Sequence, residues 1–168
     1  MLRNSSPSEI IILDASIWIK GLFGVHDNAK QIINDCLAGK LNIIVNSYIV
    51  AEITRAIKRI ALKSGLNPLE LERSFWAIIN SDNVLKDFNK PISEDLVEFL
   101  KNSNEILLIA KAFNLEPKDV PYIVLAFKFK ALIITEDIRS LYVNKDEIKR
   151  KLGIIICSLS EFKANYKT

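Results

Sequence analysis

Four short runs of the chain, at residues 10–14, 41–45, 131–135 and 154–157, are almost continuously apolar and rich in isoleucine. A strand with one face in water alternates apolar and polar side chains. A run that stays apolar is covered on both faces. Each run has the length of a strand, and β-branched side chains suit the extended backbone. Segments with helical periodicity separate them. Buried strands alternating with helices specify an α/β fold with a mainly parallel sheet. A shorter run at residues 84–88 is a fifth candidate strand.

Helices are expected at about 28–37, from Ser47 as N-cap to a stop near Gly65, and from Pro68 through Phe75, Trp76, Ile78 and Ile79. Others are expected behind Ser93 as a cap, at 104–113, from Asp119 with Pro121 in the first turn, and at 145–152 and 159–164. No repeat or long linker divides the 168 residues, so the expectation is one domain over 1–168. It carries a polar extension at 1–9 and an extended helical region at 66–114. With 49% apolar and 26% charged residues the chain is globular in composition. No apolar stretch approaches the roughly 20 residues of a membrane span, and residues 1–9 lack the apolar core of a secretory signal. A cytoplasmic protein without a membrane partner is expected.

Cys36 and Cys157 are far apart and match no metal-ligand spacing, which reads as two buried thiols. The single histidine, His26, excludes histidine-rich metal sites, and no nucleophile motif supports a triad through it. The net charge of +3 permits a nucleic-acid partner without establishing one.

Asp14 ends the first apolar run. A carboxylate there is costly unless it is paired, hydrogen-bonded or bound to metal. Asp137 ends another strand candidate, and ligands of open α/β sheets bind at that edge. Asp119 opens the helix leading into that strand, where the partial positive charge of a helix N-terminus suits an acid. Glu52 borders the apolar stripe of Ile49, Ile53, Ala56, Ile57 and Ile60. Arg55, Arg59 and Lys63 follow along nearly the same edge, Lys63 roughly 16 Å from Glu52. Two like charges about 4 Å apart repel by about 4 kcal/mol at an effective dielectric near 20. Mg²⁺ or Mn²⁺ would remove that penalty, and two such ions form a clamp for phosphodiester cleavage that needs no histidine. Taken singly, each acid has a plainer reading: Asp119 as an N-cap, Glu52 as a solvated partner of Arg55, and Asp137 as a turn residue.

The four acids in order resemble the PIN-domain ribonucleases, including VapC-like toxins. The matching motifs are Ile-Leu-Asp14-Ala-Ser16, Ser47-Tyr-Ile-Val-Ala-Glu52-Ile, and the segment from Asp119 to Thr135-Glu136-Asp137. Asp137 follows Asp119 by 18 residues. The motifs span about residues 10–160. The resemblance implies a three-layer α/β/α sandwich around a central, mainly parallel sheet of four to five strands. It implies catalytic Asp14, Glu52, Asp119 and Asp137 binding Mg²⁺ or Mn²⁺, with Ser16 and Thr135 as hydroxyls orienting Asp14 and Asp137. It further implies endonucleolytic cleavage of single-stranded or looped RNA, a homodimer and, for a toxin, a small antitoxin protein as partner. The chain departs from the compact toxins in its greater length, mainly between Gly65 and Asn114, and in Pro121.

Arg55, Arg59 and Arg139 are candidates for contacting RNA phosphates. Trp18 could stack on a base, but core packing is the plainer reading. Phe75 and Trp76 suit either an oligomer interface or the core, and 145–151 reads as a solvated helix. Two other functions remain: a non-catalytic PIN-like RNA-binding scaffold, and a phosphatase of the haloacid-dehalogenase type. The latter wants a second aspartate where this chain has Ser16.

Overall fold

The structure is a computed structural model in which residues 9–93 and 95–165 are described. The polar extension expected at 1–9 therefore lies outside the described residues apart from Glu9. All five apolar runs form strands: β1 (Ile10–Leu13), β2 (Asn42–Asn46), β3 (Val84–Asp87), β4 (Leu132–Ile134) and β5 (Ile156–Cys157). They make one parallel sheet in the order β3-β2-β1-β4-β5. In the middle, Ile11 lies beside Leu132 and Leu13 beside Ile134. Ile11, Ile12, Leu13, Ile43, Ile133 and Ile134 are wholly buried. Helices cover both faces, giving the α/β/α sandwich, and this is why the runs are continuously apolar.

The helices are α1 (Ala15–Leu22), α2 (Asp27–Leu37), α3 (Ser47–Lys63), α4 (Pro68–Ile79), α5 (Leu96–Lys101) and α6 (Asn104–Phe113). A 3-10 turn, Pro117–Asp119, leads into α7 (Val120–Phe129), followed by α8 (Lys145–Leu152) and α9 (Leu159–Asn165). The region 66–114 holds α4, α5 and α6 but also the edge strand β3.

Several helix starts differ from expectation. Helix α1 was not expected; it begins directly after Asp14, whose carboxylate caps it by accepting from the Ser16 N–H. The cap of α3 is Asn46, which accepts from the Ile49 N–H at 2.8 Å. Ser47 lies inside that helix and donates instead to the Lys90 carbonyl at 2.7 Å. Helix α5 starts behind Asp95, not Ser93. The Asp119 side chain makes no capping bond to α7. The expected stop of α3 is present: Gly65 takes φ +66°, a conformation open to glycine at little cost.

Trp18 is fully buried and meets Phe75 edge-on at 5.5 Å, so it is a core residue and not a platform for bases. Trp76 packs at the margin of the same core. Cys36 and Cys157 are buried free thiols, and burial pushes Cys157 up to about 12. Among the described residues no helix is long and apolar enough to cross a membrane.

Candidate active site

From β1 the chain builds outward through β2 to β3, then crosses to the other side of β1 for β4 and β5. The direction reverses between β1 and β4, and the crevice at the carboxyl ends of those strands is where α/β sheets bind ligands. Asp14 follows β1 and Thr135 follows β4 at this crevice. The Asp14 N–H donates to the Ile134 carbonyl at 3.1 Å. The Thr135 hydroxyl donates to Asp14 Oδ2, and the Ser16 N–H donates to Oδ1 at 2.5 Å. The Asp14 carboxylate, 7% exposed, is thus held from two sides. Thr135 Oγ1 also accepts the Asp137 N–H at 2.9 Å, so it fixes the Asp137 backbone and the Asp14 side chain together. Ser16 orients Asp14 through its backbone, not through its hydroxyl as expected; that hydroxyl is buried without a partner.

Glu52 reaches the crevice from α3. It accepts from the Tyr122 hydroxyl at 2.5 Å, not from Arg55. Burial pushes Glu52 up to about 7. The Asp14 and Asp119 charges add to that shift; the Tyr122 bond and Lys118 oppose it. Asp119, 6% exposed, arrives at the head of α7 with Oδ2 buried and unpartnered. Burial pushes it up to about 6, helped by Asp137 and Glu116 and opposed by a Ser140 hydrogen bond and Lys118. Asp137 accepts the Arg139 N–H at 2.9 Å and stands 3.7 Å from the Lys118 ammonium.

All four acids therefore share one electrostatic neighbourhood. Among the described residues, however, no three such side chains converge on a point that could hold a metal ion. The cause is local: Asp14 is turned to Thr135 and the Ser16 N–H, and Glu52 to Tyr122. In kind the donors fit a hard divalent cation: carboxylate oxygens, one orphaned and buried, and two carboxyls that burial, aided by neighbouring acids, drives toward neutrality.

A cleft of about 500 Å³ leads from Glu52 along α3, with α1 and α5 as its walls. Ile19, Ala56, Ile60 and Val97 give it an apolar lining, and Lys20, Arg55, Arg59, Lys101 and Lys118 give it positive charge. Arg55 and Lys101 both bind Glu98, at 2.8 and 3.2 Å. Lys20 and Arg59 have no ion pair among the described residues. Arg139 is exposed and, like Lys63, is not one of the residues lining the cleft.

Residues 12–149 match the family model of the PIN domain. The chain belongs to the PIN domain family. PIN domains are generally nucleases and typically use divalent metal ions. This PIN domain is similar in fold to the VapBC2 complex of Rickettsia felis bound to a DNA fragment from their promoter. The TM-score is 0.55 at 14% identity, covering 89% of this chain and 98% of that one. It is also similar to a domain of a functionally unknown protein from Methanocaldococcus jannaschii DSM 2661. There the TM-score is 0.50 at 16% identity, covering 89% of each chain. No curated protein sequence matches it.

Tyr122, Ser140, Lys118, Lys20 and Lys101, all at this PIN domain's crevice or cleft, are among the residues not singled out from sequence. Tyr122 had a readable signal, since it lies one helical turn beyond Asp119 and shares its face. Lys118 directly precedes that acid. Ser140, Lys20 and Lys101 are brought in by tertiary packing alone.

Proposed function

We propose that this PIN domain is a Mg²⁺- or Mn²⁺-dependent endoribonuclease that hydrolyses RNA phosphodiester bonds. The carrying observation is the buried, unpartnered Asp119 Oδ2 among three other carboxylates at the head of a cation-lined cleft. Asp14, Glu52, Asp119 and Asp137 would hold the metal, directly or through water. When bound, the metal supplies an activated water and charge stabilisation for the leaving oxygen. Thr135 and the Ser16 N–H fix the Asp14 carboxylate at the crevice, and a bound metal would compete with Thr135 for Oδ2. Tyr122 keeps Glu52 beside Asp119. Arg55 and Arg59, with Lys118, draw the phosphates of a strand toward the acids. Arg139 stands outside this cleft and is left with a contact beyond it.

The test is cleavage of a mixed RNA pool with Mn²⁺, with chelator and the D14N and D119N variants as controls. Cleavage is expected to vanish in all three controls. Cleavage that persists in homogeneous D119N protein would sink the reading. The likeness to VapBC2 supports a toxin with a small antitoxin partner; a homodimer is proposed from the resemblance of the sequence motifs alone. Growth arrest on expression, relieved by a small protein encoded alongside, would establish the pairing; ultracentrifugation reports the dimer. The scaffold reading draws on the acids' failure to converge on one point. Calorimetry with Mn²⁺ separates the two, because a scaffold of that kind takes up no ion.

A further inference from the structure

Glu98 holds two of the five cations that line the cleft. Its carboxylate lies 2.8 Å from Arg55 on α3 and 3.2 Å from Lys101 at the end of α5. Both cations are cleft-lining residues, while Glu98 itself is half exposed beside them. A single carboxylate oxygen, Glu98 Oε1, takes both the guanidinium and the ammonium, the contacts that one non-bridging phosphodiester oxygen would make. Exposed ion pairs are weak, so a competing anion displaces one readily. In the same cleft, Ile19, Ala56, Ile60 and Val97 offer a surface for the flat of a sugar or base, and Lys20 and Arg59, which have no ion pair among the described residues, can take a neighbouring phosphate. Apolar walls with a few placed charges are what a small ligand's pocket requires, and about 500 Å³ lies within the usual range for one.

We propose that the cleft contains a phosphate subsite for one nucleotide of the bound strand, formed by Arg55 and Lys101, in which Glu98 sits in the phosphate's place until RNA displaces it. This rests on the nuclease reading. It adds a self-occupied seat away from the acids, so Glu98 sets how tightly RNA is held and contributes nothing to the chemistry.

The experiment measures binding of a fluorescently labelled, short single-stranded RNA to D119N protein without metal, across a range of salt. E98Q in that background is expected to bind about three- to tenfold tighter at low salt, with a salt slope steeper by about 1. E105Q, which removes an equal charge from an exposed position of α6, is expected to change little. In an R55Q/K101Q background E98Q is expected to give no gain. Equal tightening by E105Q, a gain that survives loss of Arg55 and Lys101, or no gain at all overturns the subsite while leaving the nuclease reading in place. RNA that binds none of the variants overturns both.

Discussion

Glu52 and Asp119 carry folded-state values of about 7 and about 6, against 4.5 and 3.8 for the free carboxyls. An acid whose value is raised by folding contributes stability that is fully present below its unfolded value and is lost as pH rises through its folded value. The metal-free protein is therefore expected to lose stability between about pH 4 and 7. E52Q and D119N should flatten that fall and melt higher than the parent at pH 8, by about 1–2 kcal/mol or a few degrees each. A thermal-melt series over pH without divalent ions checks this; variants that melt lower at pH 8 would contradict it. Protons and cations compete for the same oxygens, so Mn²⁺ affinity should rise as pH climbs through 6 to 7. Tyr122 lowers the Glu52 value by donating to it. Y122F should therefore move the acid limb of the Mn²⁺-binding profile to higher pH and cost about 1–3 kcal/mol of stability, since a buried acceptor loses its donor.

Elements rather than single residues explain where the sequence was readable. The five strands were legible because burial on both faces leaves an uninterrupted apolar record that needs no partner to interpret. Helix α1 was not, because its eight residues abut β1 with no glycine, proline or polar loop between them. Asp14 both ends the strand region and caps the helix. The cap of α3 was placed one residue late, since Asn46 and Ser47 are equally good caps and only the bond from Ser47 to the distant Lys90 carbonyl decides between them. Packing between α1 and α2 is close at Gly21, where an added Cβ would lie 2.5 Å from the Ile33 Cδ1 and 3.2 Å from the Ala29 carbonyl oxygen. Alanine gains about 1 kcal/mol of helix propensity there, but overpacking costs about 1–3 kcal/mol. G21A is therefore expected to be net destabilising by about 1 kcal/mol in chemical denaturation. Unchanged or raised stability would show that α2 yields freely.

At the scale of the molecule, the four acids could be found from spacing because each sits at a strand end or near a helix start. Thr135 and Ser16 were named beside Asp14, but the partners of Glu52 and Asp119 were not. Tyr122 meets Glu52 across 70 residues, and Glu98 takes Arg55 from across 43, so the plainer reading of Glu52 as a partner of Arg55 gives way to two separate contacts. If the acids bind one cation together, Mn²⁺ at about a hundred times its dissociation constant should stabilise the fold by about 2.7 kcal/mol, and D14N or D119N should abolish the shift. Differential scanning calorimetry reads this without any RNA present, and an equal shift in D119N would refute shared binding. The bond from Thr135 to Asp14 joins residues 121 positions apart, and Asp119 arrives on the helix just before β4. A chain emerging from the ribosome can pair β1, β2 and β3 while Asp14 still lacks both. Only when β4 has been made can Thr135 and Asp119 join Asp14, so the crevice is assembled after the first three strands of the sheet.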